Sequence, residues 1–369
     1  MMAASRISRR LLLLACGVAL FVAIGPGTPD RDVHFFDSHL EAAVRSALGA
    51  PTGSLTRERL AQMTELRAVG GEIVRLDGLE ECTSLVVLDL GENYVSDLTP
   101  LAGLTNLETL VLRSNRVEDV GPLARLLKLR RVDLDFNTVA DVSPLADLHQ
   151  LEFLGLWGSR IRDIRPLGGL TTLVELGLSA CPIEDPTPIS NLTKLQWLGL
   201  PGTGLRDLTF LMPLANLKRL SLGENDIENL EPLRGLVTLE FLGLSENRIR
   251  DVSPLVGLVH LRRLSLWNND VSDVAPLRDM TALERLWLDM NPVADVSVVS
   301  AMTKLEVLGL SQTRVTDLAP LLANPGLGEG DEVRLEGVNT TGHLDSAVAE
   351  LTARGVRVIL GVTPPSGAP

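Results

Sequence analysis

"LRSNRVEDVGPLARLLKLRRVDLDFNTVADVSPLADL", residues 112–148, nearly repeats itself after 22 residues. The pattern L-x-x-L-x-L-x-x-N-x-V/I-x-D-x-x-P-L-x-x-L-x-x aligns without insertion or deletion over twelve units. They begin at residues 63, 85, 107, 129, 151, 173, 195, 217, 239, 261, 283 and 305. A fixed period of this length with this leucine spacing is typical of a solenoid, in which each unit forms one coil and stacks on the next.

Three columns of the repeat predict the shape of a coil. Side chains alternate across a short strand, so the leucines of the L-x-L segment point into the core. The asparagine that follows (for example Asn93, Asn115 and Asn137) can hydrogen-bond backbone groups of neighbouring coils. The aspartate before Pro-Leu favours the turn that precedes a single 3₁₀ turn on the opposite side. A calcium-binding row is the alternative for these aspartates, and turn capping is the favoured interpretation.

The repeat resembles the 22-residue class of leucine-rich repeats, found in bacterial internalins and in a eukaryotic phosphatase-regulating subunit. The resemblance covers residues 63–326 and implies an α/β leucine-rich-repeat solenoid, or horseshoe, with a concave parallel sheet and short 3₁₀ turns on the convex side. The flanks resemble a helical N-terminal cap at 31–62 and a β-α-β C-terminal cap at 327–361, and a disordered tail is expected at 362–369. Neither an immunoglobulin-like module nor an LPxTG signal follows the repeats, so host-cell invasion is not implied.

The first 30 residues predict export. Arg6, Arg9 and Arg10 precede an apolar run at residues 11–25, which is typical of a secretory signal peptide or a short membrane anchor. "LLAC", ending at Cys16, resembles a bacterial lipobox, so a lipoprotein anchored at Cys16 is an alternative. We expect a secreted, periplasmic or membrane-anchored protein of the bacterial envelope, with membrane contact only through this segment.

Composition and motifs argue against several classes of function. The formal net charge is −13 at pH 7, whereas affinity for nucleic acid depends on clustered Lys and Arg. No metalloprotease, nucleophile-elbow, redox or phosphate-loop motif is found in the sequence. Cys82 and Cys181 lie five coils apart, ~24 Å at the usual strand spacing, which is too far for a disulfide. We therefore predict a protein that is not an enzyme, with no catalytic residue, metal or cofactor.

The positions that face away from the core are the candidate binding residues. They are the third, fifth, seventh and eighth residues of each unit, and all four tryptophans fall in these columns. We define a first aromatic cluster as Phe136, Phe153, Trp157 and Trp197, and a second as Phe241, Trp267, Trp287 and Met290. Glycine in three consecutive fifth positions predicts a bare slot floor between Trp157 and Trp197, at Gly155, Gly177 and Gly199.

Arginines border both clusters. Arg219, Arg263 and Arg285 occupy third positions beside the second cluster, and Arg131 borders the first. Arginine can stack on aromatic rings, and this stripe suggests an acidic group on the partner.

The sequence thus favours an exported, non-enzymatic recognition module that binds a protein or peptide on a concave aromatic face. A binder of carbohydrate or cell-wall glycan and an envelope scaffold that self-associates are the alternatives. A further interpretation is that the rings pack on each other without any partner. The oligomeric state and the identity of the partner stay open.

Overall fold

One parallel sheet runs through the protein in strict chain order. The computed structural model describes residues 32–338 and 344–361, so the predicted signal segment, Cys16 and the predicted tail lie outside the described residues. The described strands are β1 Glu65–Arg67, β2 Val87–Asp89, β3 Thr109–Val111, β4 Arg131–Asp133, β5 Phe153–Gly155, β6 Glu175–Gly177, β7 Trp197–Gly199, β8 Arg219–Ser221, β9 Phe241–Gly243, β10 Arg263–Ser265, β11 Arg285–Trp287, β12 Val307–Gly309, β13 Glu332–Arg334 and β14 Arg357–Ile359.

Short helices cover the opposite side and both ends of the sheet. The α-helices are α1 Ser38–Ala47, α2 Arg57–Leu60, α3 Ala319–Ala323 and α4 Leu344–Ala353. The 3₁₀ helices are Leu79–Glu81, Thr99–Leu101, Gly121–Leu123, Ser143–Leu145, Arg165–Gly169, Thr187–Asn191, Thr209–Leu211, Glu231–Leu233, Ser253–Leu255, Ala275–Leu277 and Ser297–Ala301. The predicted solenoid, with its helical N-terminal cap, 3₁₀ convex side and β-α-β C-terminal cap, is confirmed.

The 22-residue period fixes the register of the sheet. Within β1 to β12, paired residues on adjacent strands are 22 residues apart, so that Leu88 faces Leu110 and Leu264 faces Leu286. The central residue of each of these strands is buried, and it packs with the other consensus leucines, valines and isoleucines into one continuous core. Burying such side chains contributes roughly 1.5–3 kcal/mol each, which explains how a chain with few aromatic residues is stabilised.

The predicted asparagine ladder is confirmed. Asn115 donates from Nδ2 to the carbonyl oxygens of Leu90 in the preceding coil and Leu112 in its own coil, both at 2.9 Å, and its Oδ1 accepts the N–H of Val95 at 2.9 Å. The ladder changes where Ser159, Cys181 and Thr203 replace asparagine. There Cys181 Sγ lies 3.3 Å from the carbonyl oxygen of Leu156, and Thr203 Oγ1 donates to that of Leu200 at 2.8 Å.

The aspartate column caps the convex turns, as predicted. In each case one carboxylate oxygen accepts a hydrogen bond from the backbone N–H two residues later. Asp97 accepts from Thr99, and Asp163 accepts from Arg165. Asn229 makes the same bond to Glu231 in the coil that lacks the aspartate. Within the described ranges, no group of three or more His, Cys, Asp or Glu side chains is placed to hold a metal ion.

We expect these turns to make the solenoid sensitive to acid. Hydrogen bonds from the side chain or backbone of the residue two positions later lower the pKa of six carboxyls, Asp97, Asp141, Asp163, Asp185, Asp207 and Asp251. Because the folded-state pKa lies below the usual value, their contribution to stability is present above pH ~4 and is lost as the pH falls further. Asp163, with a pKa of about 2, should hold longest.

The measurement is the thermal midpoint between pH 7 and pH 2. It should change little down to pH ~4 and then fall. Replacing Asp141 and Asp251 by Asn keeps an acceptor oxygen but removes the titration, so the double variant should show a shallower fall. A midpoint that is flat down to pH 2 would contradict the assignment.

Candidate binding face

The concave face is the side of the sheet that points away from the leucine core. Third-position residues stand side by side on it through the in-register pairing, as Arg219, Phe241 and Arg263 do on β8, β9 and β10. The fifth- and seventh-position side chains share this face because side chains alternate along a strand. The sequence-predicted site residues therefore lie in the expected columns, although their exposure differs from one to the next.

Phe136 and Trp157 form the most exposed aromatic contact on this face. Their ring centroids are 4.6 Å apart with the planes tilted by 43°, and the two residues are 50% and 46% exposed. Two large rings in contact, each half open to water, are characteristic of binding surfaces rather than of cores.

The backbone at Phe136 has a φ of +57°, in the left-handed region that suits glycine. The eighth position of the other coils has a positive φ as well, as at Glu92 (+59°) and Gln312 (+56°), so this conformation belongs to the repeat and is not specific to Phe136. A bulky residue with positive φ is uncommon, and such a conformation costs of order 1–3 kcal/mol. The eighth position of a coil projects from the end of the strand, so the phenyl ring lies at the rim of the concave face.

The predicted glycine slot is wrong, because the chain's own side chains fill it. An added Cβ would meet the indole of Trp197 at 3.2 Å both at Gly177 and at Gly199, so this ring lies across the two glycines. At Gly155 an added Cβ would lie 2.8 Å from Asp135 Oδ1. The glycines accommodate Trp197 and a carboxylate, and the floor between Trp157 and Trp197 is not bare.

Phe153 is likewise engaged within the protein. The guanidinium of Arg131 lies 3.5 Å from the centroid of the Phe153 ring, one strand away. Stacking of this kind stabilises both side chains. Arg131 and Phe153 therefore form a flank of the first cluster.

Two acidic residues, missed in the sequence, lie beneath the exposed ring pair. Asp135 Oδ1 accepts the backbone N–H of Trp157 at 2.8 Å, and Asp133 Oδ1 accepts the N–H of Asp135 at 3.2 Å. Burial raises the pKa of Asp135, reinforced by the charge of Asp133 and opposed by the Trp157 hydrogen bond. Two carboxylates at the fifth and seventh positions of one coil, with Gly155 next to Asp133 in the following coil, were the available signal.

Trp287 does not belong to the contact surface. It is 2% exposed and its Nε1 has no hydrogen-bond partner among the described residues. Its neighbours in the fifth-position column are Ser265 and Gly309, and small neighbours let a large ring lie down against the sheet. The prediction that Trp287 is an exposed binding residue is wrong. In the same cluster Trp267 and Phe241 are half-buried, and Met290 is exposed.

The arginine column is only partly neutralised. Arg285 lies 3.8 Å from Glu306, and the guanidinium of Arg219 lies 5.8 Å from the centroid of the Phe241 ring. Among the described residues, neither Arg219 nor Arg263 takes part in an ion pair, and both are exposed.

Comparisons with known proteins agree with this architecture. A family model described as leucine-rich repeats (2 copies) matches residues 105–147, 215–257, 237–278 and 259–301. The crystal structure of an internalin (inlF) from Listeria monocytogenes is 29% identical to the chain, with a TM-score of 0.70. The match covers 79% of this chain and 93% of that one. The chain is an internalin-like leucine-rich-repeat protein.

Two further leucine-rich-repeat structures share the fold. A leucine-rich-repeat protein of Leptospira interrogans is 19% identical, with a TM-score of 0.68 and coverage of 78% of this chain and 81% of that one. The ectodomain of the plant receptor kinase GASSHO1/SCHENGEN3 from Arabidopsis thaliana, in complex with Casparian strip integrity factor 2, is 18% identical. Its TM-score is 0.56, and the match covers 78% of this chain and 43% of the ectodomain. Comparison with curated proteins finds none that matches.

The internalin-like scaffold is typically used for binding rather than for catalysis. Burial raises the pKa of Cys82 to about 12 and that of Cys181 to about 11, so both thiols stay protonated near neutral pH. Both cysteines are free and buried. Among the described helices, none combines the length and the apolar character that crossing a bilayer requires.

Proposed function

We propose that this internalin-like protein is an exported, non-enzymatic recognition module that binds a protein or peptide on its concave face. The exposed Phe136–Trp157 pair carries the proposal, because contacting half-exposed rings offer a large apolar contact that only a partner would cover.

The proposed contact surface is smaller than the sequence suggests. Its centre is Phe136 and Trp157, flanked by Phe153 with Arg131 and by Trp197. The second cluster contributes Phe241, Trp267 and the arginines of the third-position column, whereas Trp287 is left out because it is buried. The plant ectodomain of similar fold, which is recorded with a bound factor, supports a binding role of this general kind.

Export is proposed from the N-terminal segment alone. The basic start and the apolar run at residues 11–25 fit a signal peptide or anchor. The chain would then meet its partner outside the cytoplasm, in the envelope or beyond.

The test measures binding of peptides selected from a random phage-displayed library on the immobilised full chain. Trp157→Ala should weaken the selected peptides about 30-fold, the effect of losing a hot spot of about 2 kcal/mol. Phe136→Gly should weaken them similarly. Its thermal midpoint should hardly change, because relief of about 1 kcal/mol of backbone strain offsets the loss of the ring contact.

Tyr94→Ala is the matched control, because Tyr94 is a comparably exposed aromatic that stacks under Arg116, away from the two clusters. It should leave peptide affinity unchanged. Selected peptides that bind the Phe136 and Trp157 variants as tightly as the parent would refute the proposal.

A glycan ligand is the second candidate, favoured by the half-open face of Trp157, since tryptophan rings stack on sugars. Chitin oligosaccharides would then compete with the selected peptides in the parent and fail to bind Trp157→Ala. Peptide binding that is insensitive to these oligosaccharides favours the protein or peptide partner.

A further inference from the structure

We propose that the arginine column on β8 to β11 is a carboxylate-binding site for the partner. A pocket of about 290 Å³ opens there on the concave side. Its lining residues are Arg219, Glu240, Phe241, Arg262, Arg263 and Glu284. The inference deepens the proposed function, on which it rests, by naming the chemical group that the partner presents at this position.

One of the three arginines that line the pocket has an acidic partner one coil away, and the other two do not. Arg262 pairs with Glu284 at 3.1 Å. Arg219 and Arg263 are without an ion pair among the described residues. Three arginines and two glutamates line the pocket, so one positive charge is left over in a protein whose net charge is −13.

The register brings these cations together instead of dispersing them. Arg219, Phe241, Arg263 and Arg285 occupy the same position on four successive strands. Arg263 and Arg285 are direct neighbours at ~4.8 Å strand spacing, and adjacent like charges destabilise a sheet. An anion beside Arg263 would relieve this repulsion and accept hydrogen bonds from its unpaired guanidinium.

The pocket fits a singly charged carboxylate on a carbon stem. Guanidinium groups bind carboxylates through paired N–H···O bonds, and Phe241 between Arg219 and Arg263 offers an apolar surface to the stem. A doubly charged phosphate would exceed the one surplus positive charge and meet Glu240 at the rim. The carboxylate can come from an acidic side chain or from the C-terminus of a peptide.

The site can be tested without knowing the partner, by titrating the full chain with butyrate and following the Arg side-chain Nε–Hε resonances by NMR. Arg219 and Arg263 should shift with saturation, and butyramide, which is neutral, should leave them in place. Arg263→Gln should weaken butyrate binding about tenfold. Arg160→Gln is the control, because Arg160 is exposed and without an ion pair among the described residues but lies outside the pocket, and it should change nothing.

Two peptide arms distinguish the sources of the carboxylate. One peptide carries a glutamate and an amidated C-terminus, and the other has no acidic residue and a free C-terminus. Competition with butyrate by either one identifies its source and supports the site. Non-saturating shifts that are the same at Arg160 as at Arg219 and Arg263 would overturn the inference. The proposed function would survive that result, since the Trp157 test uses a different part of the face.

Discussion

Asn225→Ala is expected to lower the free energy of unfolding by about 4 kcal/mol. Asn225 Nδ2 donates to the carbonyl oxygens of Leu200, Leu222 and Gly223 at 2.9–3.0 Å, and its Oδ1 accepts the N–H of Leu205 at 2.9 Å. Each bond contributes about 1 kcal/mol, and each buried group left unpaired costs about 1–3 kcal/mol more. Urea unfolding followed by circular dichroism measures the change.

The preceding coil cannot compensate for the loss of the Asn225 side chain. The preceding ladder position is Thr203, whose Oγ1 already donates to the carbonyl oxygen of Leu200 and cannot replace the lost amide. Asn216→Ala is the matched control, since Asn216 is exposed and makes a single bond, to the carbonyl oxygen of Thr193 at 2.8 Å. It should cost less than about 1 kcal/mol. Comparable losses for the two variants would mean that the ladder adds nothing beyond ordinary surface hydrogen bonds.

The repeat predicted the structure of a coil well because the residues of each column make their contacts within their own coil or with the next coil. A leucine at the central strand position has one apolar environment available, and Asn115 and Asp163 bond to backbone groups at fixed offsets. These offsets are the same in every coil, so one period determines sheet order, register and the side of each turn.

Accessibility on the concave face could not be predicted in this way, because it depends on the size of the neighbours one coil away. Trp157 has Asp135 and Ser179 beside it in its column and stays half exposed, whereas Trp287 lies between Ser265 and Gly309 and is buried. Trp197 folds over Gly177 and Gly199. The column of a tryptophan was predictable, but the direction in which its ring lies was not.

The glycines of the fifth-position column also depend on side chains one coil away, and they are the basis of the second stability prediction. Gly309→Ala is expected to destabilise the protein by about 3 kcal/mol. The new Cβ would lie 2.7 Å from Cγ and 2.9 Å from Oδ1 of Asp289, and closer still to Oδ2. Asp289 is 6% exposed and holds the N–H of Ser311 at 2.9 Å. The carboxylate must therefore move out of a packed position and lose that bond.

Gly257→Ala is the control, because an added Cβ there meets nothing within 4 Å, and it should be neutral or slightly stabilising. The double variant Asp289→Ala/Gly309→Ala should recover at least about 2 kcal/mol of the loss, since removing the carboxylate removes the clash. Burial raises the pKa of Asp289, so the carboxylate is itself a poor stabiliser and its removal adds little further cost.

These variants test whether glycine in the fifth-position column makes room for side chains of neighbouring coils. If Gly309→Ala is strongly destabilising and Asp289→Ala rescues it, glycine there makes room for the chain's own side chain, as Gly155 does for Asp135 and Gly199 for Trp197. A partner would then meet carboxylates and rings rather than bare backbone. If Gly309→Ala is neutral, the Asp289 carboxylate does not occupy the space above Gly309, and glycine is not needed there for packing.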